Sequence, residues 1–441
     1  MKNLFRYSIF LVLLASLLIF QGCCSLKIPF IENQFPIVGD LTCAGKNTAL
    51  SLDRFIIRLK VPMTKAQIEE IMRLAFPQQE QITLEDCKCG DPDLWMVVLG
   101  EALETKGDLL GVVAGLKGGE MTADPVLVYN LKKSNLKNIP GLPPTGPTDP
   151  IISDFISEET DAMVLAVLDS GIDLNHFTGE KFLFRNPSVI GCIDDNEPSS
   201  GYNFIDNNTD IQDNAEISHG TFVTKKITEK LVDPLGAKYQ ILPLKISNDS
   251  LVSYWNLLCA MSFIKKLKNE HGVNIKIINA SLGFKLNNNK IPLLDELDLP
   301  DQMSILKKYI NDLSDSSLFI TAAGNKHTNV DKNGRFVYYP VGFDSETLMG
   351  VGGLNKNSIS KHVKSNYGTK SVDIASPYVH KLMNKDVTGT SIGTAQISAS
   401  LAKFQDENPN LTPREIKTRF LGAASRSPSL NNFIKDGKYE Q

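Results

Sequence analysis

The sequence contains no long run of lysine or arginine, and its 46 basic side chains fall short of its 50 acidic ones, a formal net charge of −4. That balance carries no electrostatic footprint for DNA or RNA and argues against a nucleic-acid partner. No C-x-x-C pair occurs among the 7 cysteines, and no histidine stands at matching spacing, so the pattern of a zinc site is missing. The apolar run at residues 9–20 is shorter than the roughly 20 residues that span a bilayer. The 2 tryptophans give no functional signal. What is present is a chain of 441 residues, 42% hydrophobic and 22% charged, with enough apolar material for one large domain and a smaller one.

The N-terminus reads as a targeting signal. Lys2 and Arg6 precede the apolar run, which stops at Gln21-Gly22-Cys23-Cys24: a basic region, a short apolar region and a small residue before a cleavage point. Phe20-Gln21-Gly22-Cys23 resembles a bacterial lipoprotein box, with Phe20 where Leu, Ile or Val is usual. The resemblance implies removal of residues 1–22, lipidation of Cys23 and attachment to a membrane of the bacterial cell envelope; the alternative is a plain secretory signal and a secreted protein. Export permits disulfides. A bridge from Cys43 to Cys87 or Cys89 is one expectation, although connectivity cannot be read from sequence.

Residues 23–138 read as a small α+β domain. "RFIIRLK" (54–60) predicts a strand, "TKAQIEEIMRLAF" (64–76) a helix with Thr64 as N-cap and Ile68, Ile71, Met72 and Leu74 as its apolar positions, and "LWMVVLG" (94–100) a strand. "LLGVVAGLKGG" predicts a second helix and "PVLVYNL" (125–131) a closing strand, an order that suits the split-βαβ arrangement. Residues 139–150, dense in proline, read as an exposed linker.

Residues 151–430 alternate differently, ahead of a tail at 431–441. "AMVLAVLD" (162–169), "YQILPLKI" (239–246), "IKIINASLG" (275–283) and "SLFITAAGN" (317–325) are continuous apolar strands, separated by helical patterns such as 255–270 and 301–314. This predicts an α/β fold, a mostly parallel sheet with helices on both faces. Chemistry then belongs at the C-terminal ends of strands, where Asp169, Ser281 and Asn325 fall.

"GTSIG" (389–393) fits the nucleophile-elbow pattern of α/β-hydrolases, but that fold needs a histidine after the nucleophile. All 6 histidines precede Ser391, so the elbow reading fails for want of a base. The order Asp, His, Ser remains. Asp169 closes a hydrophobic strand, where its carboxylate orients an imidazole. His219 comes directly before an amphipathic stretch, and Ser391 opens a helix whose free N–H groups face a developing oxyanion. Asn325, just past "ITAAG", supplies an amide donor for the same oxyanion. Singly, these are an ordinary turn, a surface histidine and a helix cap; together they form a constellation.

These residues resemble the subtilisin-like serine proteases, the subtilase family. The likeness covers about residues 160–425 in order: "AVLDSGID", "SHGTFV", "ILPLKI", "INASLG", "ITAAGN", "YYPVGF" with "MGVGG", "SNYGTKSVDIASP" and "GTSIGTAQISA". The resemblance implies Asp169 as orienting acid, His219 as general base and acid, Ser391 as nucleophile and Asn325 as oxyanion donor. It implies that Ser281, Leu282 and Gly283 pair with the backbone of a peptide substrate. It also implies that residues 23–138 are a propeptide, the chain's own inhibitor and partner. A sedolisin-type acid peptidase would need a glutamate where His219 stands.

Two departures are plain. Phe222 to Lys225 replace the histidine and small residues usual after His-Gly-Thr, and Ile392 to Gln396 replace the usual Met-Ala-(Ala/Thr)-Pro-His, which predicts a different bend in the helix behind Ser391. The chemistry requires no cofactor. Asp173, Asp206, Asp210 and Asp213 offer oxygens of the kind calcium takes, beside the turn roles such residues ordinarily fill.

Overall fold

Strands with consecutive buried residues, such as Arg54 to Leu59, build the first sheet. The computed structural model describes residues 41–43, 48–104, 106–116, 120–130, 152–159, 161–177, 181–185, 200–215, 218–231, 239–248, 251–287, 303–331 and 336–440. Cys23, the signal at 1–22 and the linker at 139–150 lie outside the described residues.

The N-terminal domain runs β1 (Leu41–Cys43), β2 (Thr48–Leu59), α1 (Lys65–Ala75), β3 (Ile82–Asp86), β4 (Leu94–Leu99), α2 (Lys106–Leu116) and β5 (Met121–Asn130). The sheet order β3-β4-β2-β5 is the split-βαβ arrangement expected from the sequence, with β3 an element that the hydrophobic pattern did not announce. Thr64 caps α1 as predicted, in a capping box with Gln67. Ile68 and Met72 are buried, whereas Leu74 is 77% exposed and lies off the apolar face.

The second domain continues with β6 (Met163–Asp169), β7 (Tyr202–Asn203), α3 (His219–Leu231), β8 (Tyr239–Lys245), β9 (Leu251–Ser253), α4 (Tyr254–His271), β10 (Ile275–Ala280), β11 (Phe284–Asn287), α5 (Ser304–Asp312) and β12 (Leu318–Ala322). It closes with β13 (Phe336–Tyr339), β14 (Leu348–Asn355), β15 (Ser360–Lys361), β16 (Ile374–Pro377), β17 (Val379–Leu382), β18 (Lys385–Thr388), α6 (Thr390–Glu407), α7 (Pro413–Ala423), β19 (Ser425–Arg426) and β20 (Lys438–Tyr439).

Its main sheet is ordered β19-β20-β16-β14-β12-β10-β6-β8-β7 among the described residues, and the stretch from β16 to β7 is parallel. Side chains of a strand alternate between faces. In β6, Val164, Ala166 and Leu168 join the apolar cluster of α4 and α5, while Met163, Leu165 and Val167 join that of α3, α6 and α7. Helices therefore cover both faces, which is why these strands read as unbroken apolar runs.

The first of those clusters does not stop at α4 and α5. It runs on through Tyr254, Leu258 and Ile305 into Ile57, Met96 and Val126 of the N-terminal sheet, so the two helices lie between two sheets. Three features fasten this interface. The buried Asp124 of β5 accepts from the Ser304 N–H (3.1 Å), the Ser304 hydroxyl (2.7 Å), the Ile305 N–H (2.6 Å) and the Tyr254 hydroxyl (2.7 Å), capping α5 from the other domain. Such a carboxylate at a helix N-terminus contributes about 1 kcal/mol. The buried Arg58 of β2 lies 3.8 Å from the Tyr309 ring centre and bonds Asp93 and Asp312. Finally, Cys87 forms a disulfide with Cys259 of α4, 172 residues away. This corrects the expectation of a Cys43 bridge to Cys87: the partner comes from the other domain, and Cys89 is buried beside it.

The strand β9 belongs to neither main sheet by position in the chain, yet it adds to the N-terminal one. Val128, Tyr129 and Asn130 of β5 pair antiparallel with Ser253, Val252 and Leu251. The end of the N-terminal domain is thereby delivered to the second domain's surface at Val252.

Candidate active site

The apolar run of β6 is buried throughout and ends at Asp169, itself 6% exposed. Its Oδ1 accepts from the Ser170 N–H at 2.8 Å and stands 2.7 Å from Nδ1 of His219, the first residue of α3. Nε2 is left as the ring atom for proton transfer. Gly220 makes this approach feasible, since a Cβ there would fall 2.2 Å from the Gly171 carbonyl oxygen. Burial pulls the imidazole down, but the charge and hydrogen bond of Asp169, with Asp213 behind, outweigh it and hold His219 above the ordinary histidine value.

Ser391 lies in the first turn of α6, 7% exposed, after Gly389 at φ 144°. The Thr390 N–H donates to Asn325 Oδ1 at 2.9 Å and the Thr390 hydroxyl to the same atom at 3.1 Å, while the Gly324 N–H donates to that hydroxyl at 3.0 Å. Because Oδ1 is the accepting end, the Asn325 amide is fixed with Nδ2 as its free donor beside the helix start. The helix continues unbroken to Glu407, so the residues that replace the family's proline set no break in it. Ile392 is fully buried beneath it.

The Ser391 hydroxyl donates to the Ser281 carbonyl at 3.0 Å, and the Ser281 hydroxyl returns a bond to the Ser391 carbonyl at 2.9 Å. No hydrogen bond joins the Ser391 hydroxyl to His219 among the described residues. Asp169, His219, Ser391 and Asn325 all line one cavity of about 270 Å³, with Ser281, Leu282 and Gly283 along a side and Val252 on its wall. Leu282 and Gly283 make no backbone–backbone hydrogen bond among the described residues, although the Leu282 carbonyl accepts from the Thr321 hydroxyl at 3.1 Å.

The four loop aspartates hold the chain's own groups. Asp173 accepts from the Asn175 N–H, Asp206 from the Asn203 side chain, Asp210 from the Gln212 N–H and Asp213 from Thr221. Among the described residues no three His, Cys, Asp or Glu side chains stand together as a metal cluster. Sequence reasoning missed Thr390, whose hydroxyl links the two donor loops. It read Asp213 as a turn residue or a calcium ligand and not as a neighbour of His219; its place six residues before His219 was the available signal.

A family model described as the subtilase family matches residues 160–437. No curated protein matches the chain. Among solved structures, the epidermin leader peptide processing serine protease of Staphylococcus aureus is 15% identical, with a TM-score of 0.53 over 87% of this chain and 95% of that one. That likeness, one of fold, takes in more of the chain than residues 160–437. A cold-adapted subtilisin-like serine proteinase is 20% identical (TM-score 0.45; 65% and 89% covered), and so is the A-subunit of an AB5 toxin from E. coli (TM-score 0.45; 63% and 89% covered). With its parallel sheet, its helices on both faces and this match over most of its length, the chain belongs to the subtilase family.

Proposed function

We propose that the protein is an exported serine endopeptidase, lipid-anchored through Cys23 and made as a zymogen, in which Ser391 attacks the peptide carbonyl. The observation that carries the reading is the convergence of Asp169, His219, Asn325 and Ser391 on one cavity, with His219 Nδ1 2.7 Å from Asp169. His219 takes the Ser391 proton as the acyl-enzyme bond forms and returns it to the leaving amine; Asp169 stabilises the imidazolium. Asn325 Nδ2 and the Ser391 N–H stabilise the oxyanion, and Ser281, Leu282 and Gly283 bind substrate backbone. A fluorophosphonate probe tests this: it should label wild type at Ser391 and leave Ser391→Ala unlabelled. An unlabelled wild type would sink the reading.

Residues 23–138 act as propeptide in this reading. In support, β5 pairs with β9, whose Val252 lines the cavity, so the last described strand of this domain ends against an element of the site. Proline fits poorly into a strand that must pair with the cleft, so the cut falls beside the proline-dense linker, at 132–138 or at 151–157; in the second stretch Phe155 and Ile156 are buried and the Ser157 N–H bonds the Leu183 carbonyl. The cut accordingly falls at 132–138.

One observation favours a second reading, a catalytically weak binding module of the cell envelope. The Ser391 hydroxyl is engaged by Ser281 instead of by His219. The same probe separates the two, because only an activated serine reacts.

A further inference from the structure

Behind His219 stands a second carboxylate that the triad does not include. Asp213 is 4% exposed, and its Oδ2 accepts from both the N–H (3.0 Å) and the hydroxyl (2.7 Å) of Thr221, while Oδ1 accepts from the Ala215 N–H at 3.3 Å. The Thr221 hydroxyl in turn accepts from the Asp173 N–H at 2.9 Å, and the Ser170 hydroxyl accepts from the Gly220 N–H at 2.9 Å. The first turn of α3, which begins at His219, is thus held from two loops at once, through two N–H groups that no helix can satisfy internally.

We infer that Asp213 is a positioning residue for His219: it fixes the first turn of α3 through Thr221 and sets a second negative charge behind the imidazole. Resting on the peptidase reading above, this gives Asp213 two effects that can be measured apart. The Thr221 bonds govern where the ring stands, and a small displacement of a general base costs rate without costing substrate affinity. The charge governs when the ring titrates, since a nearby anion favours the protonated imidazole.

The groups facing Asp213 are few and come from three elements. Asp169 at the end of β6 repels it, His219 of α3 attracts it, and the Thr221 hydroxyl donates to it. Lys245 of β8 bonds the neighbouring Gln212 carbonyl at 2.6 Å. Burial raises the Asp213 carboxyl to about 6 against the pull of its hydrogen bonds, so it is ionised where a neutral His219 is available as base.

The test uses the full chain and two readouts. Histidine-labelled NMR in the Ser391→Ala background, with the His219 signal assigned by its loss in His219→Gln, should show Asp213→Asn moving the imidazole titration to lower pH by about half a unit or more. Kinetics of Asp213→Asn on a peptide substrate should show kcat lower by about 10-fold or more with KM within about 2-fold. Thr221→Val should reproduce the kcat loss without the titration shift, and Thr221→Ser should restore kcat. An unmoved titration, or a kcat unchanged in both Asp213→Asn and Thr221→Val, overturns the inference. If Asp213→Asn does not fold, Thr221→Val kinetics decide, an unchanged kcat again overturning it. If wild type itself neither cleaves nor takes the probe, the peptidase reading fails, and the His219 titration alone decides the coupling to Asp213.

Discussion

Arg58 of the N-terminal sheet reaches Asp312 at the end of α5 with its Nη2 at 2.6 Å, across the boundary between the domains. The guanidinium is almost fully buried, and its second partner, Asp93, belongs to its own domain. Removing one side of a buried pair leaves the other charge uncompensated. Because Asp93 and Asp312 keep access to water, Arg58→Met in the Ser391→Ala background should lower unfolding free energy by about 1–2 kcal/mol, read as a fall in the denaturant midpoint. A midpoint within error of the parent would show that the interface does not need this pair.

Self-cleavage gives a distinctive mass signature because of the Cys87–Cys259 bond. Wild type cut at 132–138 should keep both fragments without reductant, gaining only the mass of one water, and should separate into two species with it. Ser391→Ala should remain one chain under both conditions, since removal of the nucleophile leaves only residual catalysis. Equal trimming of wild type and variant would assign the cut to another protease.

Thr390 holds the Asn325 Oδ1, and in the proposed mechanism the amide N–H meets charge that exists only in the tetrahedral state. Asn325→Ala should lower kcat about 100- to 1000-fold with little change in KM. A loss confined to KM would place the side chain in substrate binding.

In the proposed mechanism the pH dependence follows from His219, whose neutral form would be the base. Asp169 holds its titration above the ordinary histidine value of about 6.5, so kcat/KM should fall as pH drops through a midpoint above that value. The sign is testable: Asp169→Asn should move the acid limb downward while lowering the plateau. An acid limb that stays in place would assign it to another group.

Lipidation is read at Cys23. Cys23→Ser should move the protein out of the membrane fraction and abolish incorporation of labelled palmitate. Unchanged fractionation without label in wild type would refute the anchor.

The apolar strands were legible because each is buried on both faces, and that leaves continuous hydrophobic runs such as residues 163–168 before Asp169. Asp169, His219, Asn325 and Ser391 could be picked out because each follows or opens a regular element with a small residue beside it. What escaped was non-local. Nothing near Cys87 names Cys259, and nothing near Asp124 names the helix start at Ser304 that it caps. β9 carries no periodicity of its own in a stretch of three residues, and exists by pairing with β5. The Ser391 to Ser281 bond depends on a rotamer, which sequence does not encode.

A chain break at 132–138 does not set the N-terminal domain free while Cys87 and Cys259 stay joined. A domain held by contacts alone dissociates as the protein is diluted below its Kd. A tethered one returns at an effective concentration fixed by its leash, on the order of millimolar for short flexible connections. The fraction of cut molecules with an open cleft is then a property of each molecule, the same at nanomolar as at micromolar enzyme, and it responds to thiols where dilution has no effect.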